Sequence, residues 1–150
     1  MEKTVLVEVR EGVATVTLNR ADGANVLDLA MGRDLLEAAL SVEADPAARA
    51  VVVTGAGKHF CFGGDLRGMA QKGGQVGGYL NELTTNIHAA VSAFTRMKAP
   101  VIAAVNGTAA GGGVGLVCMT DLAIAGRSSR FTLAYTGVGL APDCSTSFLL

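Results

Sequence analysis

The sequence predicts an α/β fold built from repeated strand–strand–helix turns. The chain opens with two short apolar stretches that pair naturally as a β-hairpin. Its middle part alternates short buried strands with amphipathic helices, and two glycine-rich bends each follow one of those strands. Elements in this order favour stacked α/β layers.

The length and composition fit one ordinary globular domain. The chain has 150 residues, of which 50% are hydrophobic and 17% are charged, which is enough for a sizeable core. The net charge is −1, and the sequence has no tryptophan and no run of lysine or arginine. These features give no electrostatic or stacking surface for nucleic acid, so we expect no nucleic-acid partner.

The cysteines and the apolar stretches indicate a cytoplasmic protein. The chain has an odd number of cysteines, namely Cys61, Cys118 and Cys144, and their spacing matches no metal-ligand pattern. We therefore expect three reduced thiols and no metal. Residues 1–10 lack the apolar region of a signal peptide. The longest apolar stretch, around Val114–Met119, is too short to span a bilayer, so no membrane partner is expected.

The first third of the chain carries clear signals for its elements. Val5–Val9 and Val13–Leu18 flank a short turn that ends in glycine, which predicts a hairpin. Asp28 can cap a helix that ends near Asp45, just before a proline. Ala50–Thr54 follows as a short buried strand. The apolar face of the predicted helix consists of Leu29, Leu35, Leu36, Ala39 and Leu40.

The rest of the chain continues the pattern. Asp65 can cap a brief helix, and residues 73–78 are predicted to form a mobile loop. Tyr79–Met97 is the clearest helix, because its apolar residues recur at steps of three and four. The remaining predicted elements are a strand at 101–105, a helix at 112–119, strands at 121–125 and 130–134, and a final helix opened by Pro142 and Asp143.

The two glycine-rich bends are the strongest functional signal. The first runs from Gly55 to Asp65 and the second from Asn106 to Gly113. Because glycine lets the backbone approach a ligand closely, two such bends can direct two N–H groups at one oxygen. Each bend alone could equally be a tight turn that packs a helix on a strand. Neither has the spacing of a P-loop or of a dinucleotide-binding fingerprint.

Several spaced motifs resemble the crotonase (enoyl-CoA hydratase/isomerase) superfamily. They are residues 54–66, residues 104–113, Leu18-Asn19-Arg20 and Ala24-Asn25-Val26-Leu27. The resemblance covers essentially the whole chain and implies a crotonase-like (ClpP/crotonase) spiral of ββα turns that binds acyl-CoA. It implies no separate cofactor, since coenzyme A is part of the substrate, and a homotrimer or hexamer at full length. The apolar residues 147–150 carry no helix stop signal, so we expect residues 1–150 to be the N-terminal part of a longer, truncated domain.

The resemblance also implies which backbone groups bind the thioester. The two donors to its oxygen are the N–H groups of Gly64 and Gly112. This agrees with the chemistry, because a thioester becomes an enolate when its α-proton leaves and fixed donors stabilise that charge. Gly112 would also lie at the N-terminus of a helix, where the helix dipole adds partial positive charge. The other residues expected to contact the substrate or its CoA are Ala24, Phe62, Asp65, Leu66 and Tyr135.

The acid/base positions depart from the hydratase pattern. Hydratases of this family carry one glutamate two residues after the three glycines and a second four residues after the phenylalanine of the next strand. In this chain those places are Gly115 and Tyr135. Syn addition of water needs paired carboxylates that hold and activate the water. We therefore do not expect a standard hydratase.

Asp143 is the carboxylate that remains. In the family, its position carries an aspartate in phenylacetate-pathway-like enoyl-CoA isomerases and in a halobenzoyl-CoA dehalogenase. Residues 134–140 are most similar to the isomerases. One carboxylate suffices for a 1,3-proton shift, so we predict an enoyl-CoA isomerase with Asp143 as the proton carrier. Because aspartate after proline is also a good helix N-cap, Asp143 could serve in that role instead or as well.

Three alternatives stay open. A dehalogenase would use Asp143 as nucleophile and would need an aromatic cage, for which Phe62, Phe131 and Tyr135 are the candidates. A hydratase could position water through other groups. A pseudoenzyme could bind acyl-CoA without turning it over.

The remaining polar candidates have no clear partners in the sequence. His59 lies in the first bend, and His88 lies beside the apolar face of a predicted helix, where we interpret it as structural. Tyr135 could hydrogen-bond the aspartate, or it could simply pack.

Overall fold

The fold begins with the hairpin that the sequence predicts. A computed structural model describes residues 3–150. In it, β1 (Val5–Arg10) pairs antiparallel with β2 (Val13–Leu18), with Val5 opposite Leu18. Alternate residues of β2 are fully buried, as expected for a strand with one face on the core.

The hairpin continues into a parallel sheet. β3 (Ala50–Gly55), β4 (Val101–Val105) and β6 (Leu122–Ala125) extend it in the order β1-β2-β3-β4-β6. A second, two-stranded parallel sheet pairs β5 (Thr108–Ala110), which the sequence did not predict, with β7 (Arg130–Thr132). Parallel strands end at the same edge of a sheet, so the two glycine bends leave β3 and β4 side by side.

The helices lie between these strands, and two of the predicted caps are confirmed. The carboxylate of Asp28 accepts the N–H of Met31 at 2.9 Å, and that of Asp65 accepts the N–H of Gly68 at 3.0 Å. Within residues 3–150, no helix is long and apolar enough to cross a membrane. The helices are α1 (Leu29–Ala44), α2 (Leu66–Ala70), α3 (Val76–Arg96), α4 (Gly112–Cys118) and α5 (Thr146–Leu149), with 3-10 turns at 21–23, 73–75 and 136–138.

The core forms where α1 and α3 pack against each other and α1 packs on the hairpin. The apolar stripe predicted for α3 is confirmed, since Leu83, Ile87, Val91 and Phe94 are all buried. The face predicted for α1 is wrong at Leu40, which is 53% exposed.

Two predicted boundaries are wrong. Residues 73–78 are not a loop, because α3 begins at Val76 and includes two glycines in its first turn. Each glycine costs a helix about 1 kcal/mol, and the long buried face of α3 offsets that cost.

The final helix begins at Thr146 rather than at Pro142 or Asp143. The backbones of Cys144 and Ser145 take φ values of +53° and +57°, which no right-handed helix can include. Asp143 is therefore not a helix N-cap.

Candidate active site

The first glycine bend is held by the buried side chain of Asn25. Its amide nitrogen donates to the carbonyls of Ala56, His59 and Phe60 at 3.0, 2.9 and 3.1 Å. Its oxygen accepts the N–H of Arg20 at 2.8 Å. A fully buried amide with both ends bonded rigidifies the loop around it.

The second glycine bend is tied to the first by Asn106. The oxygen of Asn106 accepts the N–H of Gly55 at 3.2 Å, and its nitrogen donates to the carbonyl of Gly57 at 3.0 Å. The ends of β3 and β4 are thus joined through one side chain, which fixes the bends relative to each other.

The two bends touch at Gly63. Its φ is +77°, and a Cβ there would lie 2.6 Å from the carbonyl oxygen of Ala110 and 2.9 Å from the nitrogen of Gly112. Only glycine fits such an approach without moving the backbone. This contact brings the residue after it, Gly64, close to the start of α4.

The N–H groups of Gly64 and Gly112 are available to a ligand. Among residues 3–150, neither group donates to a protein acceptor. Their neighbours are bonded instead: the N–H of Asp65 donates to the carbonyl of Leu27 at 3.1 Å, and that of Gly111 donates to the carbonyl of Thr132 at 2.9 Å. Donors held at the edge of a cavity in this way suit an anionic oxygen.

Both glycines line one cavity of about 380 Å³. Apolar side chains of α3 form one wall of it, among them Leu80, Leu83 and Ile87. The residues predicted for the site that line this cavity are Phe62, Gly64, Leu66, Gly112, Tyr135 and Asp143.

Two predicted contact residues lie just behind the cavity. In the part of the chain that the structure describes, neither Ala24 nor Asp65 is among the lining residues. The carbonyl of Ala24 accepts the N–H of Phe62 at 3.1 Å, and Asp65 caps α2. Both residues therefore position parts of the cavity wall, and their direct contact with the substrate or its CoA stays a prediction.

The structure brings His88 to Asp143, which the sequence reasoning missed. The Nε2 atom of His88 lies 2.5 Å from Oδ1 of Asp143, although the residues are 55 positions apart. His88 thus has a partner that the sequence does not show, and its interpretation as a structural residue stays a prediction. A signal was present, because Leu80, Thr84 and His88 follow at steps of four along one helix face.

The turn around Asp143, which comprises residues 135–146, is held by local hydrogen bonds. Oδ1 of Asp143 also accepts the N–H of Cys144 at 2.7 Å. The backbone carbonyl oxygen of Asp143 accepts a hydrogen bond from the hydroxyl of Tyr135 at 3.2 Å and from that of Thr146 at 2.5 Å. Tyr135 thus bonds the backbone of the aspartate and not its carboxylate.

Burial keeps the neighbours of Asp143 neutral. Burial raises the pKa of the Tyr135 phenol, and it raises the pKa of the Cys144 thiol to about 12, with the negative charge of Asp143 adding to the effect. Neither group is a base at neutral pH.

His88 and this turn together present three ligand atoms of the kinds that bind zinc. The ligand atoms of His88, Asp143 and Cys144 lie within 4.8 Å of one another. To bind there, a metal would have to displace the proton of the Cys144 thiol, whose pKa is raised by burial. This weighs against a metal site formed by these three residues.

The turn also fills the place that the resemblance assigns to the first glutamate of hydratases. A Cβ on Gly115 would lie 2.5 Å from Cβ of Cys144 and 2.8 Å from its carbonyl oxygen. There is no room for any side chain at Gly115.

Among residues 3–150, the aromatic cage that a dehalogenase would need is incomplete. Phe62 and Tyr135 line the cavity, whereas Phe131 is 51% exposed on β7 and lies outside the lining. The rings of His59 and Phe62 are 4.5 Å apart at an angle of 53°, so His59 supports this aromatic wall.

Comparisons with known proteins agree with the fold. A family model described as enoyl-CoA hydratase/isomerase matches residues 8–150. The chain is 38% identical to 1,2-epoxyphenylacetyl-CoA isomerase of Escherichia coli, over all of this chain and 58% of that protein. It is 32% identical to 4-chlorobenzoyl coenzyme A dehalogenase-2 of an Arthrobacter species, over 97% of this chain and 53% of that protein.

A solved structure is also similar to this chain in fold and in sequence. The enoyl-CoA hydratase structure from Mycobacterium smegmatis matches with a TM-score of 0.87 and 40% identity, over 97% of this chain and 55% of that one. The expected crotonase-type α/β fold is thereby confirmed. The chain spans a little more than half the length of the relatives it matches.

Proposed function

Since this chain belongs to the enoyl-CoA hydratase/isomerase family, we propose that it is an acyl-CoA enzyme that shifts the double bond of a 3-enoyl-CoA to position 2. One observation carries the proposal. Among residues 3–150, Asp143 is the single carboxylate that lines the cavity with the two free backbone donors, and Gly115 leaves no room for a second one. The isomerase name of the Escherichia coli relative supports it.

The first step is removal of a proton from C2 of the acyl group by the Asp143 carboxylate. The electron pair of the broken C–H bond moves through the thioester carbonyl, whose oxygen becomes negative. The N–H groups of Gly64 and Gly112 donate to that oxygen. Loss of one such donor typically costs about 3 kcal/mol of transition-state stabilisation.

The second step returns the proton two carbons away. The electrons move back from oxygen, C4 takes the proton from Asp143, and the double bond now joins C2 and C3. The carboxylate is regenerated and no atom is gained or lost, so one acid/base group suffices. The apolar side chains of α3 favour this outcome because they leave little polar surface to hold a nucleophilic water.

A second candidate is supported by His88. In an aromatic acyl-CoA dehalogenase, Asp143 would attack the ring carbon that bears the halogen, and the halide would leave. Water, deprotonated by His88, would then cleave the resulting ester. The contact between His88 and Asp143 and the similarity to the Arthrobacter dehalogenase favour this reaction. The incomplete aromatic cage ranks it second.

Product analysis of the whole protein tests the proposal. We expect mass spectrometry and NMR to show conversion of 3-enoyl-CoA to 2-enoyl-CoA without a change of mass. Addition of water to 2-enoyl-CoA without isomerisation would indicate a hydratase, and chloride release from 4-chlorobenzoyl-CoA would indicate the dehalogenase. Binding of acyl-CoA with no turnover of any of these substrates would indicate a pseudoenzyme.

We further propose a homotrimer or hexamer in the cytoplasm, with no cofactor beyond the coenzyme A of its substrate. Exposed apolar side chains such as Leu122 and Ile124, at 64% and 69%, support an assembly that covers them. The free thiols of all three cysteines are typical of a reducing compartment. Size-exclusion chromatography with light scattering measures the oligomer directly.

A further inference from the structure

The two oxygens of the Asp143 carboxylate are not equivalent. Oδ1 lies 2.5 Å from Nε2 of His88 and accepts the N–H of Cys144 at 2.7 Å. Among residues 3–150, Oδ2 has no hydrogen-bond partner. One oxygen is therefore held in place and the other is left for the substrate.

The chemistry of the pair fixes the direction of its hydrogen bond. An ionised carboxylate can only accept, so Nε2 of His88 must carry the hydrogen that lies between them. Since the second donor is a backbone N–H of the next residue, His88 is the only side chain in the described part of the chain that orients this carboxylate.

The placement of His88 fits such a role better than a packing role. Its side chain is 49% exposed, and it is not among the residues that line the cavity. It follows Thr84, which lines the cavity, by one helical turn of α3, and the helix thereby brings the imidazole to Oδ1 of Asp143.

We propose that His88 is a positioning residue that holds Oδ1 of Asp143 and directs Oδ2 at the acyl chain. This role rests on the proposed isomerase function. It matters there because one carboxylate must reach two carbons of the substrate in succession. Loss of the His88 bond would leave the carboxylate held by the Cys144 N–H alone, free to turn away between the two transfers.

Three variants of α3 test this role in the whole protein. For His88→Ala we expect kcat for 3-enoyl-CoA to fall about 10-fold to 100-fold, the range for loss of a hydrogen bond to a charged group. KM should change less than about 2-fold, because the variant leaves the cavity lining intact. His88→Gln keeps an N–H donor and should recover most of the loss. Thr85→Ala, on the exposed side of the same helix, is the matched control and should retain wild-type kcat.

Added imidazole separates positioning from structure. It should restore part of the activity of His88→Ala, because the site of the missing ring is open to solvent. Circular dichroism should show that all three variants fold. A kcat of His88→Ala within 2-fold of the wild type, or equal losses in His88→Gln and His88→Ala without rescue, would overturn the proposal.

NMR of the imidazole distinguishes failure of this inference from failure of the proposed function. In the ¹⁵N-labelled wild type we expect a protected Nε2–H proton on His88 that disappears in Asp143→Ala. If the wild type shows this proton but does not isomerise 3-enoyl-CoA, the proposed function fails and the positioning role of His88 in it fails as well. If the wild type isomerises but lacks this proton, only the inference about His88 is overturned.

Discussion

The glycine bends (55–65 and 106–113) and the Asp143 turn (135–146) face the same cavity but are built in opposite ways. The bends offer backbone N–H groups and are held by the amides of Asn25 and Asn106. The Asp143 turn offers a side chain, is largely exposed between residues 136 and 142, and receives His88 from a distant helix.

This difference separates the substrate class from the reaction. Backbone donors in a rigid bend serve any thioester whose oxygen becomes negative, whatever happens to the acyl chain. The group that we propose moves the proton is a side chain on a turn, which can be exchanged without rebuilding the core. In the proposed mechanism the bends therefore determine the substrate class, whereas the Asp143 turn determines the reaction.

The largest effect is expected from Asp143→Asn, which removes the base and keeps the shape of the turn. We expect kcat for isomerisation to fall about 10³-fold, within the range for loss of a general acid/base. Acyl-CoA binding, measured by calorimetry, should change little because the bends stay intact. An equal loss of binding would show that the two regions do not act separately.

The next largest effect is expected from Gly63→Ala, at the contact between the bends. The new Cβ would meet the carbonyl of Ala110 at 2.6 Å, in a backbone conformation with φ of +77°. We expect the free energy of unfolding in urea to fall by about 3 kcal/mol. Gly64→Ala is the matched control, because its Cβ meets only the flexible end of Met69 and should cost less than about 1 kcal/mol. Equal losses in the two variants would refute the tight contact at Gly63.

A glutamate at Gly115 tests whether a side chain on α4 competes for space with the Asp143 turn. Since its Cβ would lie 2.8 Å from the carbonyl of Cys144, Gly115→Glu should displace the Asp143 turn and lower the free energy of unfolding by about 2 kcal/mol. Isomerisation should be lost and no hydration of 2-enoyl-CoA should be gained. Appearance of hydratase activity would show that the turn yields to the glutamate.

The smallest effect concerns the buried thiol of Cys144. Burial raises its pKa from 9.0 to about 12, so from about pH 9 upward the unfolded chain loses a proton that the folded chain keeps. Stability should therefore fall as pH rises through this window, by up to about 1.4 kcal/mol per pH unit for this thiol. Urea unfolding at pH 8 and pH 10 should show a smaller loss in Cys144→Ala than in the wild type. Identical losses would contradict burial of the thiol.

The difference between the bends and the Asp143 turn also explains how much of the structure could be predicted from the sequence. The hairpin and the apolar stripe of α3 follow from local patterns that need no distant partner. The bends were found because glycine marks strained backbone and because spaced motifs agreed in order. Much of the cavity wall follows from the same motifs, as Phe62 and Leu66 show.

The Asp143 turn could not be predicted in the same way. Left-handed conformations at Cys144 and Ser145 are uncommon for these residues, so proline and aspartate were interpreted as a helix start. The pair of His88 and Asp143 joins residues 55 positions apart, and no local pattern specifies such a contact. The start of α3 was missed because glycines at 77 and 78 predict a loop unless tertiary packing overrides them.

Transfer of a deuterium label tests the central claim most directly, namely that Asp143 both removes and returns the proton. The whole protein would be given 3-enoyl-CoA labelled with deuterium at C2, and the label at C4 of the product would be measured by NMR after a single turnover. We predict that part of the deuterium appears at C4, because one carboxylate carries it between the two carbons. Only solvent hydrogen at C4, together with an unchanged kcat in Asp143→Asn, would contradict the account, since another group would then move the proton.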